Sequence, residues 1–366
     1  MPDINPILSS SAQYKQAFEE GLTRILQHKT AGTFILACAN LFQHPWLLDK
    51  ELQKDLKNNN KALLLDAYNY IKEHYQTCYR DGRQPDDAPD DITVMNSLFE
   101  IGLENLEEVE YRKVNSDGVD YLLYYNQLRS FRPARMSKTE NIQLDTPFNP
   151  EGFHFAKSFL QKEIFAEGEY NGKQLSLLYN KFPFIHYHAL LIVNKARHNN
   201  QYLTRDILDY IANLQTHTQQ QCPEFVVAYN SLGAGASVNH LHFQTYLEAT
   251  PLAIFSAYFT HNGGDLSYPA TCQAFTNSFD AWQTIKSLHK RNTPYNLLFK
   301  DNKIYCLPRI VSSRKKAGKS LSGIDTSLYG WADMAGLINI DNKKLLTELS
   351  AAQIVLSLES VSALIN

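Results

Sequence analysis

The chain has 366 residues, 44% of them hydrophobic, and a mean hydropathy of −0.35, which is enough apolar material for one large domain or two of ordinary size. Its 35 basic and 38 acidic residues leave a formal charge of −3, so no global positive field exists to hold nucleic acid or an anionic membrane. Cys38, Cys78, Cys222, Cys272 and Cys306 are scattered and never spaced C-x-x-C, which argues against a disulfide framework and a thiolate zinc site and fits a reducing compartment. Met1 to Ser10 lacks a basic stretch followed by an apolar one, and no apolar run approaches the roughly 20 residues that span a bilayer, so the expectation is a soluble, cytoplasmic chain.

Residues 11–28 and 47–79 carry helical spacing, with Leu63, Leu64, Tyr68 and Ile71 among the apolar positions. RQPDDAPDD, residues 83–91, combines two prolines with four aspartates and reads as a solvated connector rather than a cation site. From about Tyr111 the texture turns to short β-rich runs at 119–128, 175–180, 188–193, 224–230, 240–248, 296–300 and 304–311. Between the third and fourth of these, Ile207, Leu208, Ile211 and Leu214 form a helical stripe within 203–217. Residues 342–364 read as a closing amphipathic helix built on Leu345, Leu346, Leu349, Ile354, Leu356 and Leu358. No short-period repeat is visible.

The chemistry concentrates in AYNSLGAGASVNHLHFQTYLE, residues 228–248. On a strand alternate residues share a face, so His240, His242 and Gln244 project together while Leu241, Phe243 and Thr245 face the other way. The small-residue loop Gly233 to Ser237 just before them can bring backbone N–H groups and a hydroxyl close to a phosphate. Two imidazoles and an amide beside such a nest suit covalent catalysis at phosphorus, because an imidazole with an ordinary pKa of about 6.5 is largely neutral at pH 7 and able to attack. An H-x-H triplet alone says little: 12 histidines give roughly 0.4 by chance, and His186 and His188 form a second. The first pair stands out by its conjunction with the loop, Asn239 and Gln244, and the open alternatives are a zinc site or buried core histidines.

SSRKKAGKS, residues 312–320, nearly spells a phosphate-binding P-loop, but Ser313 stands where its first glycine belongs, so an ATPase reading is rejected. Lys181 and Arg132 are candidate phosphate contacts on charge alone.

YNSLGAGASVNHLHFQ, residues 229–244, resembles the H-x-H-x-Q motif of the galactose-1-phosphate uridylyltransferase branch of the histidine-triad superfamily. Within it the likeness is greatest to GDP-D-glucose and GDP-L-galactose phosphorylases. FRPARM (131–136), PFNPEGFHFAK (147–157), NKFPFIHYHALLIV (180–193) and PYNLLFKDNKIYCLPRIV (294–311) extend it over roughly 120–340. The resemblance implies an α+β fold with a histidine-triad-like (HIT-like) antiparallel sheet, packed helices and a degenerate second half. It divides the chain into a helical N-terminal extension and insertion (1–110), a catalytic half (111–250) and a C-terminal half with the closing helix (251–366).

It further implies that His242 forms a nucleotidyl-histidine, that Gln244 contacts the transferred phosphate and that His240 supports the site. Gly233, Gly235, Ser237, Asn239 and Asn230 would line the phosphate site. His188 is carried over only in part, because Tyr187 replaces the glycine usual before it. Trp331, followed by Ala332, Asp333, Met334, Ala335 and Gly336, departs from the related pattern of an acidic residue and a Gly-His pair, which puts the sugar or acceptor in question. The implied partners are a nucleoside diphosphate sugar, GDP-hexose by resemblance, and inorganic phosphate, with no metal or organic cofactor. The rival readings are a dinucleoside polyphosphate phosphorylase, a nucleotide-sugar hydrolase and a non-catalytic nucleotide-binding module. The insertion at 40–110 has three available roles: an acceptor wall, a homodimer contact or, as the favoured one, structural padding.

Overall fold

A computed structural model describes residues 2–41, 50–133, 142–310, 323–340 and 342–364. The P-loop-like run 312–320 lies outside them, as do the last three residues of FRPARM.

The described residues up to Ile101 are mainly helical: α1 (Ile4–Leu8), α2 (Ser11–Leu26), α3 (Ala31–Leu41) and α4 (Lys50–Arg80) are followed by α5 (Pro89–Ile101). The Ser10 side chain accepts the Gln13 N–H at the start of α2, whose buried Tyr14, Phe18, Leu22 and Ile25 recur at helical spacing. The last three residues of the expected connector, 89–91, are the start of α5. Pro89 occupies its first turn, where the missing N–H costs nothing, and Asp90 and Asp91 meet the positive end of its dipole.

The hairpin β1 (Glu110–Ser116) and β2 (Val119–Tyr125) follows, then the short α6 (Gln127–Ser130). Next come β3 (Ile164–Tyr170), β4 (Lys173–Tyr179), β5 (Ala189–Val193), α7 (Arg205–Gln221), β6 (Phe225–Asn230) and β7 (His242–Leu247). The C-terminal part runs β8 (Gln273–Phe275), α8 (Ser278–Lys290), β9 (Tyr295–Lys300), β10 (Lys303–Pro308), α9 (Trp331–Met334), β11 (Leu337–Ile340), α10 (Lys343–Glu348) and α11 (Ala351–Ser360). The expected single closing helix is two, because Ser350 caps the second with its side chain on the Gln353 N–H, a cap that contributes about 1 kcal/mol.

Eight strands form one sheet in the order β3-β4-β5-β7-β6-β9-β10-β8, every neighbouring pair antiparallel. A strand–helix–strand–strand unit occurs twice, as β5-α7-β6-β7 and as β8-α8-β9-β10, and the two copies are arranged head to head about the β6–β9 pair. A second sheet, β1-β2-β11, has β11 parallel to β2.

The large sheet is the middle layer. Phe225, Val227, Tyr229, Phe243, Leu297 and Phe299 pack on one face with residues of α1, α2, α7 and α8. Val226, Ala228, Tyr246, Leu298 and Leu307 pack on the other with β2, β11, Trp331 and the last helices. This strict alternation puts His242 and Gln244 on the second face, where the cover is incomplete and a cavity remains.

Candidate active site

β7 begins at His242, paired with Ile192 of β5, while Gln244 lies opposite Leu190 of β5 and Ala228 of β6. His240 therefore sits in the bend before the strand and not on it, which corrects the expectation of three side chains on one strand face. The ladder starts late because Leu241 donates its N–H to the Asn199 carbonyl (2.8 Å) instead of a strand neighbour. The His240 ring is fully buried, with Nδ1 accepting the Phe155 N–H at 3.0 Å.

What His240 supplies to its neighbour is its main chain. His242 Nδ1 lies 2.7 Å from the His240 carbonyl oxygen, and since a carbonyl only accepts, Nδ1 carries the proton. Nε2 is then an unprotonated lone pair, on a ring that lines the cavity. Burial pushes this imidazole down to about 4, with the His240 carbonyl acting in the opposite direction, so it is neutral throughout the physiological range. Burial also depresses His240 to about 4, aided by His242, His154 and His198.

Gln201, 1% exposed, pins the place where β6 and β7 part. Its Nε2 donates to the carbonyls of Asn230 (2.8 Å) and His242 (3.0 Å), and its Oε1 accepts the His242 N–H (2.8 Å). This residue was not found from the sequence, because its role depends on a contact between distant segments.

Two amides face the cavity beside His242, and Trp331 orients both. Its main-chain N–H donates to Asn230 Oδ1 at 2.9 Å and its indole Nε1–H donates to Gln244 Oε1 at 2.8 Å. Asn296 Nδ2 adds a second donor to Asn230 Oδ1 at 2.6 Å. His188 Nε2, 2.8 Å from the same Gln244 oxygen, must carry its proton there, although Asn180 Nδ2 approaches that nitrogen at 3.2 Å. With both amide oxygens occupied by donors, Asn230 Nδ2 and Gln244 Nε2 are left to donate into the cavity. His188 is fully buried behind Gln244 and orients it rather than touching the cavity.

Gly235 and Ser237 line the cavity, Gly233 and Asn239 do not. Gly235 has φ +97, and a Cβ there would stand 2.7 Å from Gly330 Cα, so the close passage of the 329–331 segment requires glycine. Asn239 donates from Nδ2 to the carbonyls of Thr146 (3.0 Å) and Pro147 (2.9 Å) and accepts the Gln201 N–H (2.9 Å), which makes it a tie between loops. Arg129, missed in favour of Arg132, lines the cavity together with Asp333, and no described residue accepts a hydrogen bond from its guanidinium. Asp333 itself is buried and holds the Gly330 (2.9 Å) and Asn339 (3.0 Å) N–H groups.

The cavity, about 930 Å³, continues away from His242 over Leu190, Leu178, Val238, Phe155 and Leu160. Its far wall comes from the starts of α3 and α5 and the segments leading into them: Thr30, Gly32 and residues 86–91. Three of the four aspartates of the expected connector have partners, while Asp86 is exposed as expected. Asp87 accepts from Tyr75 OH (3.0 Å) and the Ala31 N–H (3.2 Å), and Asp91 holds Lys181 at 2.6 Å. Lys181 thus belongs to the far wall, and Arg132, with its guanidinium 5.6 Å from the Phe182 ring centre and 4.0 Å from Asp90, stands on the same side. Among the described residues no group of three or more His, Cys, Asp or Glu side chains is placed to hold a metal ion.

Residues 103–246 match the family described as the GDPGP1-like N-terminal domain. The chain is 31% identical over 134 residues to GDP-L-galactose phosphorylase 2 of Arabidopsis thaliana and 31% identical over 124 residues to GDP-D-glucose phosphorylase 1 of Danio rerio. These matches take in 31% and 34% of this chain and 31% and 36% of the respective relatives, so the chain spans about a third of the length of the curated proteins it matches. Among solved structures, the yeast Ap4A phosphorylase Apa2 superposes with a TM-score of 0.48 at 17% identity, covering 74% of this chain and 93% of that one. No described helix is long and apolar enough to cross a membrane.

Proposed function

We propose that this protein is a nucleotidyltransferase that cleaves a nucleoside diphosphate hexose with inorganic phosphate, through a nucleotidyl group carried on His242. The observation that carries the reading is the tautomer of His242, whose Nδ1–H is committed to the His240 carbonyl at 2.7 Å so that the Nε2 lone pair faces the cavity. Nε2 attacks the α-phosphorus, the bond from phosphorus to the bridging oxygen breaks, and sugar 1-phosphate departs with the electron pair. A phosphate oxygen then attacks the same phosphorus, the P–N bond breaks, and nucleoside diphosphate leaves with His242 neutral again. The amide nitrogens of Asn230 and Gln244, the Ser237 hydroxyl and Arg129 are the donors available to the phosphoryl oxygens as charge builds on them.

GDP-hexose is the favoured substrate because the sequence relatives bear the names of GDP-hexose phosphorylases. The five unpaired cysteines support a reducing, cytoplasmic setting.

The test is intact-mass spectrometry after brief mixing with GDP-, UDP- and ADP-sugars and diadenosine polyphosphates in the absence of phosphate. The expected result is a gain of one nucleoside monophosphate, absent in His242→Ala and discharged by added phosphate. Turnover at the normal rate by His242→Ala would refute the covalent route, and nucleotide binding without an adduct would favour direct hydrolysis or a binding module.

A further inference from the structure

The far end of the cavity contains a charged group that the proposed chemistry does not use. Glu163 lines the cavity wall directly before β3. The other carboxylates with described contacts there are engaged, Asp87 with Tyr75 and Ala31 and Asp91 with Lys181, whereas no described residue donates a hydrogen bond to Glu163. Burial raises its carboxyl to about 7, with Lys181 and Lys162 opposing that rise and Asp91 adding to it. With no protein donor, its two oxygens take their hydrogen bonds from whatever fills the cavity, water or a ligand.

Its position relative to the nucleophile follows from the sheet register. Gln244 is level with Leu190, Leu190 with Leu178, and Leu178 with Ile164, so Glu163 lies three strands, roughly 14 Å, from Gln244. The floor between them is Leu190 and Leu178, with Phe155, Leu160 and Val238 beside it. A polar end, an apolar slot and a charged end in that order fit a phosphate, a flat heterocycle and the polar edge of that heterocycle. A hexose in the slot would bury its ring of hydroxyls against leucine and phenylalanine.

The chemistry of the charged end selects among the bases. A carboxylate offers two adjacent acceptors and no donor. Guanine presents two adjacent donors on its outer edge, N1–H and N2–H2, beside an O6 acceptor. Adenine places a donor next to an acceptor there, and uracil has one donor between two acceptors. We propose that Glu163 is the base-selecting residue of this site, accepting from N1–H and N2–H2 of guanine, with the Lys181 ammonium, steered by Asp91, donating to O6. This rests on the nucleotidyl-transfer reading only in taking the ligand to be a nucleotide with its phosphate at His242.

The experiment measures binding of GDP, IDP and ADP to the full chain by calorimetry at about pH 8, where the Glu163 carboxyl is ionised, beside adduct formation in the same preparations. IDP lacks only the N2 amine. The wild-type protein is expected to bind GDP roughly 10- to 100-fold more tightly than IDP, the worth of a hydrogen bond to a charged group, and ADP more weakly still. Glu163→Gln, checked for an unchanged melting temperature, is expected to abolish the gap between GDP and IDP.

Equal binding of GDP and IDP by the wild-type protein would overturn the assignment without needing any variant. It would equally be overturned by a gap that survives in Glu163→Gln, or by a variant that alters discrimination among GDP-sugars while base preference stays fixed. Base discrimination without an adduct would leave the assignment standing and remove the covalent mechanism instead.

Discussion

At the scale of single residues, the proposed nucleophile, His242, has its tautomer set by a peptide carbonyl. A depressed pKa means that His242 stays unprotonated well below the range of an ordinary imidazole. The rate of adduct formation should therefore stay flat from pH 8 down to about pH 5, rather than falling by half near the usual 6.5 or so. Single-turnover quench measurements across that range check this, and a midpoint at 6.5 would mean that the ring is hydrated. Trp331→Phe keeps an aromatic ring against Tyr246, whose centroid is 5.2 Å away, but removes the indole N–H that fixes Gln244. Since loss of an oxyanion donor costs roughly 10²–10³ in rate and here the donor is only released to rotate, kcat should fall about tenfold with KM little changed. An unchanged kcat would show that His188 alone is sufficient to hold the amide.

At the scale of elements, the turn from β6 into β7 is the most constrained piece of chain near the site. Gly235→Ala adds a Cβ 2.7 Å from Gly330 Cα at a positive φ, and both faults act together. A loss of about 1–3 kcal/mol is expected in urea unfolding, together with weaker nucleotide affinity as the 329–331 segment moves. A variant as stable as the parent would mean that this segment yields readily.

The alternation of Leu241, Phe243 and Thr245 against His242 and Gln244 made β7 legible from its residues, because one face had to be buried. His240 was misplaced by two residues, since nothing in H-L-H announces that Leu241 turns to Asn199. β3, α8 and the three-residue β8 were not anticipated: β3 contains Gly168 and Glu167 amid its apolar positions, and β8 is held only by its pairing with β10. Arg129, Glu163 and Gln201 were invisible for a shared reason, that an isolated charge or amide acquires meaning only when a distant segment closes over it.

At the scale of the whole molecule, histidines set the acid limit. His186 and His188 are pushed down to about 3 and His289 to about 4 by burial, as His240 and His242 are to about 4. Their folded pKa values lie below the unfolded value, so the unfolded chain takes up protons first as the pH drops below 6.5. Each contributes stability that is complete above about pH 6.5 and is lost on the way down, at up to about 1.4 kcal/mol per pH unit. Two such groups together remove about 5.5 kcal/mol by pH 4.5, the lower end of a typical domain's stability, and melting temperatures recorded between pH 7 and pH 4.5 should fall steeply. A flat profile would mean that the rings are solvated.

The matched stretch, residues 103–246, carries His242, Gln244, Asn230 and Arg129, and it stops two residues after Gln244. The indole that locks Gln244 arrives from residue 331, beyond the second strand–helix–strand–strand unit, and the wall facing the apolar slot arrives from residues 30–32 and 86–91. The stretch that matches the family description is therefore shorter than the set of residues that builds the cavity. A fragment confined to that stretch would carry His242 without the indole that fixes Gln244, so moving it between proteins would transmit a scaffold and not the complete site.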